Sequence, residues 1–249
     1  MTILQATAVQ KFYGAFCALD GVSLAISEGE HVSIIGPNGA GKTTLVNVLT
    51  GVVPPSAGMV LFKGHDIGHL NSVRLSRLGM ARSFQLINIF PQLSVRETIA
   101  LAAVSRLGIG GRIFARLRGN DAVWEIVERV SGLFGFSSKL EQPAKNLSQG
   151  DKKLLDVASA FALNPDIILL DEPTSGVSTA EKSAIMQVLV RAAKETGIKA
   201  IIQVEHDMDI VFGYSSRIIA VHNGKVLADG NPEMIRARED VMAMVVGKL

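Results

Sequence analysis

The chain has 249 residues, 48% of them hydrophobic and 19% charged, and 25 basic against 23 acidic side chains leave a formal net charge of +2. That length fits one large domain or two small ones. So even a balance excludes the electrostatic footprint of a nucleic-acid binder, and the single cysteine, Cys17, excludes an intramolecular disulfide framework and fits a reducing compartment.

A mean hydropathy of +0.31 calls for a check on membrane spans, which need about 20 consecutive apolar residues. Runs such as Ile99–Val104 and Ile167–Leu170 are far shorter, and no secretory leader is expected from the first residues. In chain order, Thr2–Gln10 alternates in polarity and predicts a half-exposed strand, as do Val22–Ile26 and Met59–Phe62, giving an antiparallel front portion. His31–Ile35 is a short buried strand running into a glycine-rich turn and then a helix, Lys42–Leu49. Between about Leu70 and Pro165 no strand is expected. Helices at Val95–Val104, Asp121–Gly132 and Gln149–Ala162 predict a helical subdomain inserted into a single domain of residues 1–249. Within it, Gly108–Gly119 is a basic, glycine-rich loop. Ile167–Asp171, Ala200–Val204 and Arg217–His222 read as apolar strands of a parallel sheet covered on both faces. Asn223-Gly224 between apolar runs predicts a hairpin. The expected fold class is α/β: a mainly parallel sheet core of P-loop NTPase type, an antiparallel β subdomain and the helical insert.

Residues Gly36–Thr44 read GPNGAGKTT, the pattern G-x-x-x-x-G-K-[ST] between a strand and a helix. Gly36, Gly39 and Gly41 let the backbone take positive φ and approach a ligand closely. Pro37, Asn38 and Ala40 complete the loop, whose successive N–H groups form an anion nest at the positive end of a helix. Lys42 brings an ammonium to the β- and γ-phosphates, Thr43 offers a hydroxyl to Mg²⁺, and Thr44 assists the α-phosphate. Farther along, IILLDE (residues 167–172) is a buried strand ending in two acids, delivered to the carboxyl edge where α/β sheets bind ligands. Asp171 is the candidate magnesium ligand, and Glu172 the candidate base for an attacking water. A guanine-reading N-K-x-D motif and kinase signatures are absent from the sequence.

With NLSQGD (146–151) about twenty residues before IILLDE, Gln85 in RSFQ and His206 in VEHD, the chain resembles the nucleotide-binding subunit of an ATP-binding-cassette (ABC) transporter along essentially its whole length. The resemblance implies that Tyr13 stacks on adenine, with Phe12 the alternative. It implies that Gln85 senses Mg²⁺ and the attacking water, and that His206 contacts the γ-phosphate. It also implies that Ser148 and Gly150 grip the nucleotide of an opposite subunit. ATP and Mg²⁺ are the implied cofactors. The implied partners are a second ATPase subunit (the same chain or a paralogue), transmembrane permease subunits and, indirectly, a substrate-binding protein; the implied place is the cytoplasmic face of the cell membrane. Two departures stand out: LSQGD replaces LSGGQ, and Ser178 replaces a common aspartate while opening a capping box with Glu181. The stretches ARSFQLINIFPQLSVRETIALA and EHDMDIVFGYSSRI resemble importer ATPases for branched-chain or hydrophobic amino acids. Urea, short-chain amide and aromatic-compound importers belong to the same group. Rival classes are a non-transport ABC ATPase and a regulatory nucleotide-binding module. The apolar stretch Leu86–Pro91 is the expected dock for the membrane subunit.

Overall fold

The computed structural model describes residues 1–83, 89–109 and 120–246. Internal contacts divide the chain into two units, Met1–Met80 with Lys199–Leu249, and Ala81–Ile198.

The first unit begins with β1 (Thr2–Tyr13), β2 (Phe16–Ser27) and β3 (His31–Ile35), followed by α1 (Lys42–Leu49), β4 (Ala57–Phe62), β5 (His65–Asp66) and α2 (Ser72–Leu78). The second holds β6 (Met80–Ser83, whose first residue belongs to the first unit), α3 (Val95–Leu107), α4 (Asp121–Leu133), α5 (Gln149–Ala162), β7 (Ile167–Asp171) and α6 (Thr179–Thr196). The chain then returns to the first unit with β8 (Ala200–Val204), α7 (Met208–Tyr214), β9 (Arg217–His222), β10 (Lys225–Gly230), α8 (Pro232–Arg236) and α9 (Glu239–Val246). Among the described residues no helix is long and apolar enough to cross a membrane.

In the first unit β1 pairs antiparallel with β2 and β4, burying Ile3, Leu4, Ala6 and Val9; register shifts between Thr2 and Leu4 and between Ala6 and Val9 break the strict alternation expected of it. The strand order of its second sheet is β10-β9-β3-β8. There β3 is parallel to both β8 and β9, so Val32, Ile34 and Ile35 are covered on both faces. The predicted hairpin is present: His222 pairs with Lys225 across Asn223 (φ 48°) and Gly224 (φ 74°), both left-handed as a two-residue primed turn requires. The apolar reading of Ala200–Val204 needs one correction. Gln203 is fully buried in β8, and its Nε2 donates to Ser33 Oγ at 2.9 Å, which meets Ser215 Oγ at 2.5 Å. The hydrogen bonds make a polar residue tolerable there.

The second unit is mostly helical, with the aromatic pair Phe134 and Phe161 packed edge to face at 5.0 Å. The expectation of no strand between Leu70 and Pro165 fails at β6, which lies beside β7. The four residues MARS carry no apolar alternation, so pairing with a neighbour, rather than local pattern, makes them a strand. The amphipathic α5 buries Leu155, Val157, Ala158 and Phe161, and matches its predicted bounds.

Candidate functional site

In the first unit the end of β3 opens into the glycine loop. Gly36 has φ 151°, and a Cβ there would lie 2.2 Å from the Val221 carbonyl oxygen. Gly41 has φ 103°, and its Cβ would lie 2.7 Å from the Ala18 oxygen. A Cβ on Gly224, in the β9–β10 turn, would meet the same oxygen at 2.8 Å. Three backbones therefore meet where no side chain fits, and hydrogen bonds lock them: Gly224 N to Ala40 O at 2.9 Å and Asp20 N to Gly224 O at 2.9 Å. Lys42 is buried and curls into the loop, its Nζ donating to Gly36 O at 2.7 Å and Pro37 O at 2.9 Å. No side chain caps α1, whose N-cap is the left-handed Gly41. Its first-turn N–H groups thus face the loop as anion donors. Asn38, Gly39 and Thr43 are exposed, Pro37 and Thr44 half-buried, and Ala40 buried.

The same unit carries Tyr13 and His206. Tyr13 stands at the tip of the β1–β2 hairpin, 48% exposed, paired across the strands with Phe16, with Lys11 Nζ 5.4 Å from its ring centre. A flat, solvent-facing aromatic suits stacking on a base. The adjacent Phe12 is 43% exposed and pairs with Cys17. His206 is exposed in the turn between β8 and α7, its backbone N–H bonded to the buried Glu205 carboxylate at 3.0 Å.

In the second unit β7 is buried along its whole length and ends at Asp171. Arg82 Nη2, on β6, donates to Asp171 Oδ2 at 2.9 Å, and both side chains are under 10% exposed. The motif reading misses Arg82, because 89 residues separate it from Asp171. Glu172 follows with φ 49°, left-handed for a residue with a Cβ. Such a conformation costs about 1–3 kcal/mol and persists where surroundings over-determine it, commonly at functional sites. Ser148 caps α5, its Oγ accepting from Asp151 N at 3.0 Å, while Gly150 is buried with its Cβ position 3.4 Å from Glu181 Oε1. The departure at Asp151 has a physical counterpart: Lys139 Nζ bonds its carboxylate at 2.7 Å. Ser178 caps α6; its amide and hydroxyl both donate to Glu181 Oε2, at 3.1 and 2.6 Å, which holds the Glu181 carboxyl below its ordinary range. Gln85, residues 110–119 of the basic loop and Leu86–Asn88 of the expected dock lie outside the described residues. The rest of that dock contributes to a shallow apolar groove of about 250 Å³ lined by Phe90, Pro91, Gln92, Leu93 and Leu101.

A family model described as ABC transporter matches residues 19–175, from within β2 through both carboxylates. The chain belongs to the ABC transporter family. Among curated members of that family, the high-affinity branched-chain amino acid transport ATP-binding protein LivG of Salmonella typhimurium is 32% identical over 247 residues, covering 95% of this chain and 94% of that one. The corresponding LivG of Escherichia coli is 31% identical over 257 residues, covering 99% and 98%. The crystal structure of a nucleotide-free ATP-binding cassette from an ABC transporter superposes with a TM-score of 0.84 at 29% identity, covering all of both chains. A dimeric cassette bound to ADP and Pi superposes with a TM-score of 0.77 at 26% identity, over 92% of this chain and 99% of that one. The glycine loop thus lies in an ATP-binding cassette of α/β, P-loop NTPase fold.

Proposed function

We propose that this chain is the ATP-hydrolysing subunit of an ABC importer for branched-chain or other hydrophobic amino acids. The observation that carries this reading is the full-length likeness to branched-chain amino acid transport ATP-binding proteins, joined to a loop in which Gly36 and Gly41 leave no room for a Cβ. The chain acts as one nucleotide-binding cassette with a helical subdomain over about residues 70–165.

In this reading the amides of Gly36–Thr44 hold the β- and γ-phosphates, Lys42 turns its ammonium to them, and Tyr13 stacks on adenine. Thr43 and Asp171 supply hard oxygen donors, the kind Mg²⁺ takes, with Gln85 as a further ligand. The ion supplies charge neutralisation at the phosphates. Glu172 accepts a proton from a water whose oxygen bonds to the γ-phosphorus, while the bond to the bridging oxygen breaks and ADP leaves with that electron pair. His206 steadies the γ-phosphate. Ser148 and Gly150, at the start of α5, grip the nucleotide of a second ATPase subunit, so the γ-phosphate bridges two chains and ADP cannot. The apolar groove at Phe90, Pro91 and Leu93 seats a cytoplasmic helix of the permease at the inner face of the membrane. A substrate-binding protein acts only through the permease.

Reconstitution of the chain with its permease subunits, partner ATPase and binding protein in proteoliposomes tests this. ATP-driven leucine uptake is the expected result; uptake of urea or amides without leucine would overturn the substrate assignment.

A further inference from the structure

The mechanism above uses Asp171 but leaves its buried partner idle. Arg82 is held on β6, beside β7, and both members of the pair are removed from water, with side chains 8% and 6% exposed. A carboxylate in such a place is costly unless a cation accompanies it. Arg82 supplies that cation through a 2.9 Å charge-assisted hydrogen bond to Oδ2. The partners that usually support a metal ligand raise its basicity. A guanidinium does the opposite: it withdraws charge from the carboxylate and repels an arriving cation.

We propose that Arg82 is a positioning residue that fixes the Asp171 carboxylate and competes with Mg²⁺ for it, setting how strongly the metal tightens nucleotide binding. This rests on the reading of Asp171 as the magnesium ligand. Two effects follow with opposite signs. Loss of the competing charge strengthens the metal's grip on Asp171. Loss of the hydrogen bond frees the carboxylate to rotate, which lowers turnover. A merely structural ion pair would weaken both when broken.

The test measures the affinity of the full chain for a hydrolysis-resistant fluorescent ATP analogue with Mg²⁺ and with EDTA. The ratio of the two is the magnesium enhancement. Arg82→Gln is expected to raise that ratio about tenfold, the equivalent of one charge-assisted hydrogen bond, while kcat falls. Arg82→Lys, which keeps the charge, is expected to stay within about twofold of wild type in the ratio. An unchanged or reduced ratio in Arg82→Gln, with Asp171→Asn lowering it, overturns the role given to Arg82. A ratio untouched by Asp171→Asn overturns the metal assignment itself, a separate failure. Should Arg82→Gln not fold, the double variant Arg82→Gln/Asp171→Asn, which leaves no lone buried charge, is compared with Asp171→Asn. The two should agree within about threefold; a larger difference shows that Arg82 does not act through Asp171.

Discussion

Replacing Gly36 by alanine tests whether the loop is held by backbone contact. The added Cβ would sit 2.2 Å from Val221 O, 3.2 Å from Val221 C and 3.3 Å from Ala40 Cβ. Real Cβ atoms essentially never approach another heavy atom within 3.0 Å, so the loop or β9 must move by nearly an ångström. The positive φ adds about 1–2 kcal/mol, and forced repacking about 1–3 kcal/mol. The sum, about 2–5 kcal/mol, corresponds to roughly 4–20 °C in melting temperature for a chain of this size. Gly39→Ala is the matched control. Its φ is 77°, and its Cβ meets nothing within 4 Å, so only the conformational cost of about 1–2 kcal/mol remains. Calorimetry without nucleotide reads the stability, and fluorescent-ATP titration reads the site. Gly36→Ala should melt well below Gly39→Ala and bind ATP more than tenfold more weakly, since a 1 Å shift misplaces the amides. Equal melting temperatures would refute the close-contact argument.

Burial pushes the His31 imidazole below its ordinary pKa, with the neighbouring Gln203 side chain opposing, and His31 Nε2 is buried without a partner among the described residues. The folded state therefore holds it neutral. Its contribution to stability is complete above pH about 6.5 and is lost as pH falls from there through the lower folded value; denaturant melts at pH 7.5 and 5.5 should differ less in His31→Gln than in wild type. Arg217 ties β9 to β10 and β2, with Asp229 at 2.6 and 2.7 Å, Glu30 at 3.2 Å and Ala25 O at 2.7 Å. Arg217→Ala should cost about 1–3 kcal/mol by losing partly buried charged hydrogen bonds, read as a drop of about 2–12 °C in melting temperature. Ser178→Ala removes a helix cap and should cost about 1 kcal/mol in urea titration, against no measurable change if the residue is dispensable to α6.

Much of the fold is legible in the sequence because its strongest signals are local. Strands β3, β7, β8 and β9 match their predicted bounds, since each is a short apolar run closed by a glycine, an acid or a turn. Helix α1 is likewise fixed by Gly41 before it. The first hairpin is longer than expected. Phe12, Tyr13 and Phe16 are paired yet exposed, and Lys11 is half-buried, so burial periodicity is silent there. Strand β6 is illegible for a related reason: its partner strand lies more than eighty residues away in the chain. The candidate site divides the same way. Glycines and Lys42 announce the phosphate loop by spacing alone. The ion pairs Arg82–Asp171 and Lys139–Asp151 arise from tertiary placement, and no motif carries them.

The most direct test of the account is light scattering on Glu172→Gln with and without ATP. Removing the base while leaving the phosphate loop intact should give a chain that binds ATP, releases no phosphate, and shifts from monomer to dimer only when ATP is present. Phosphate release at the wild-type rate, or a chain that stays monomeric with ATP bound both alone and mixed with its partner ATPase, would contradict it.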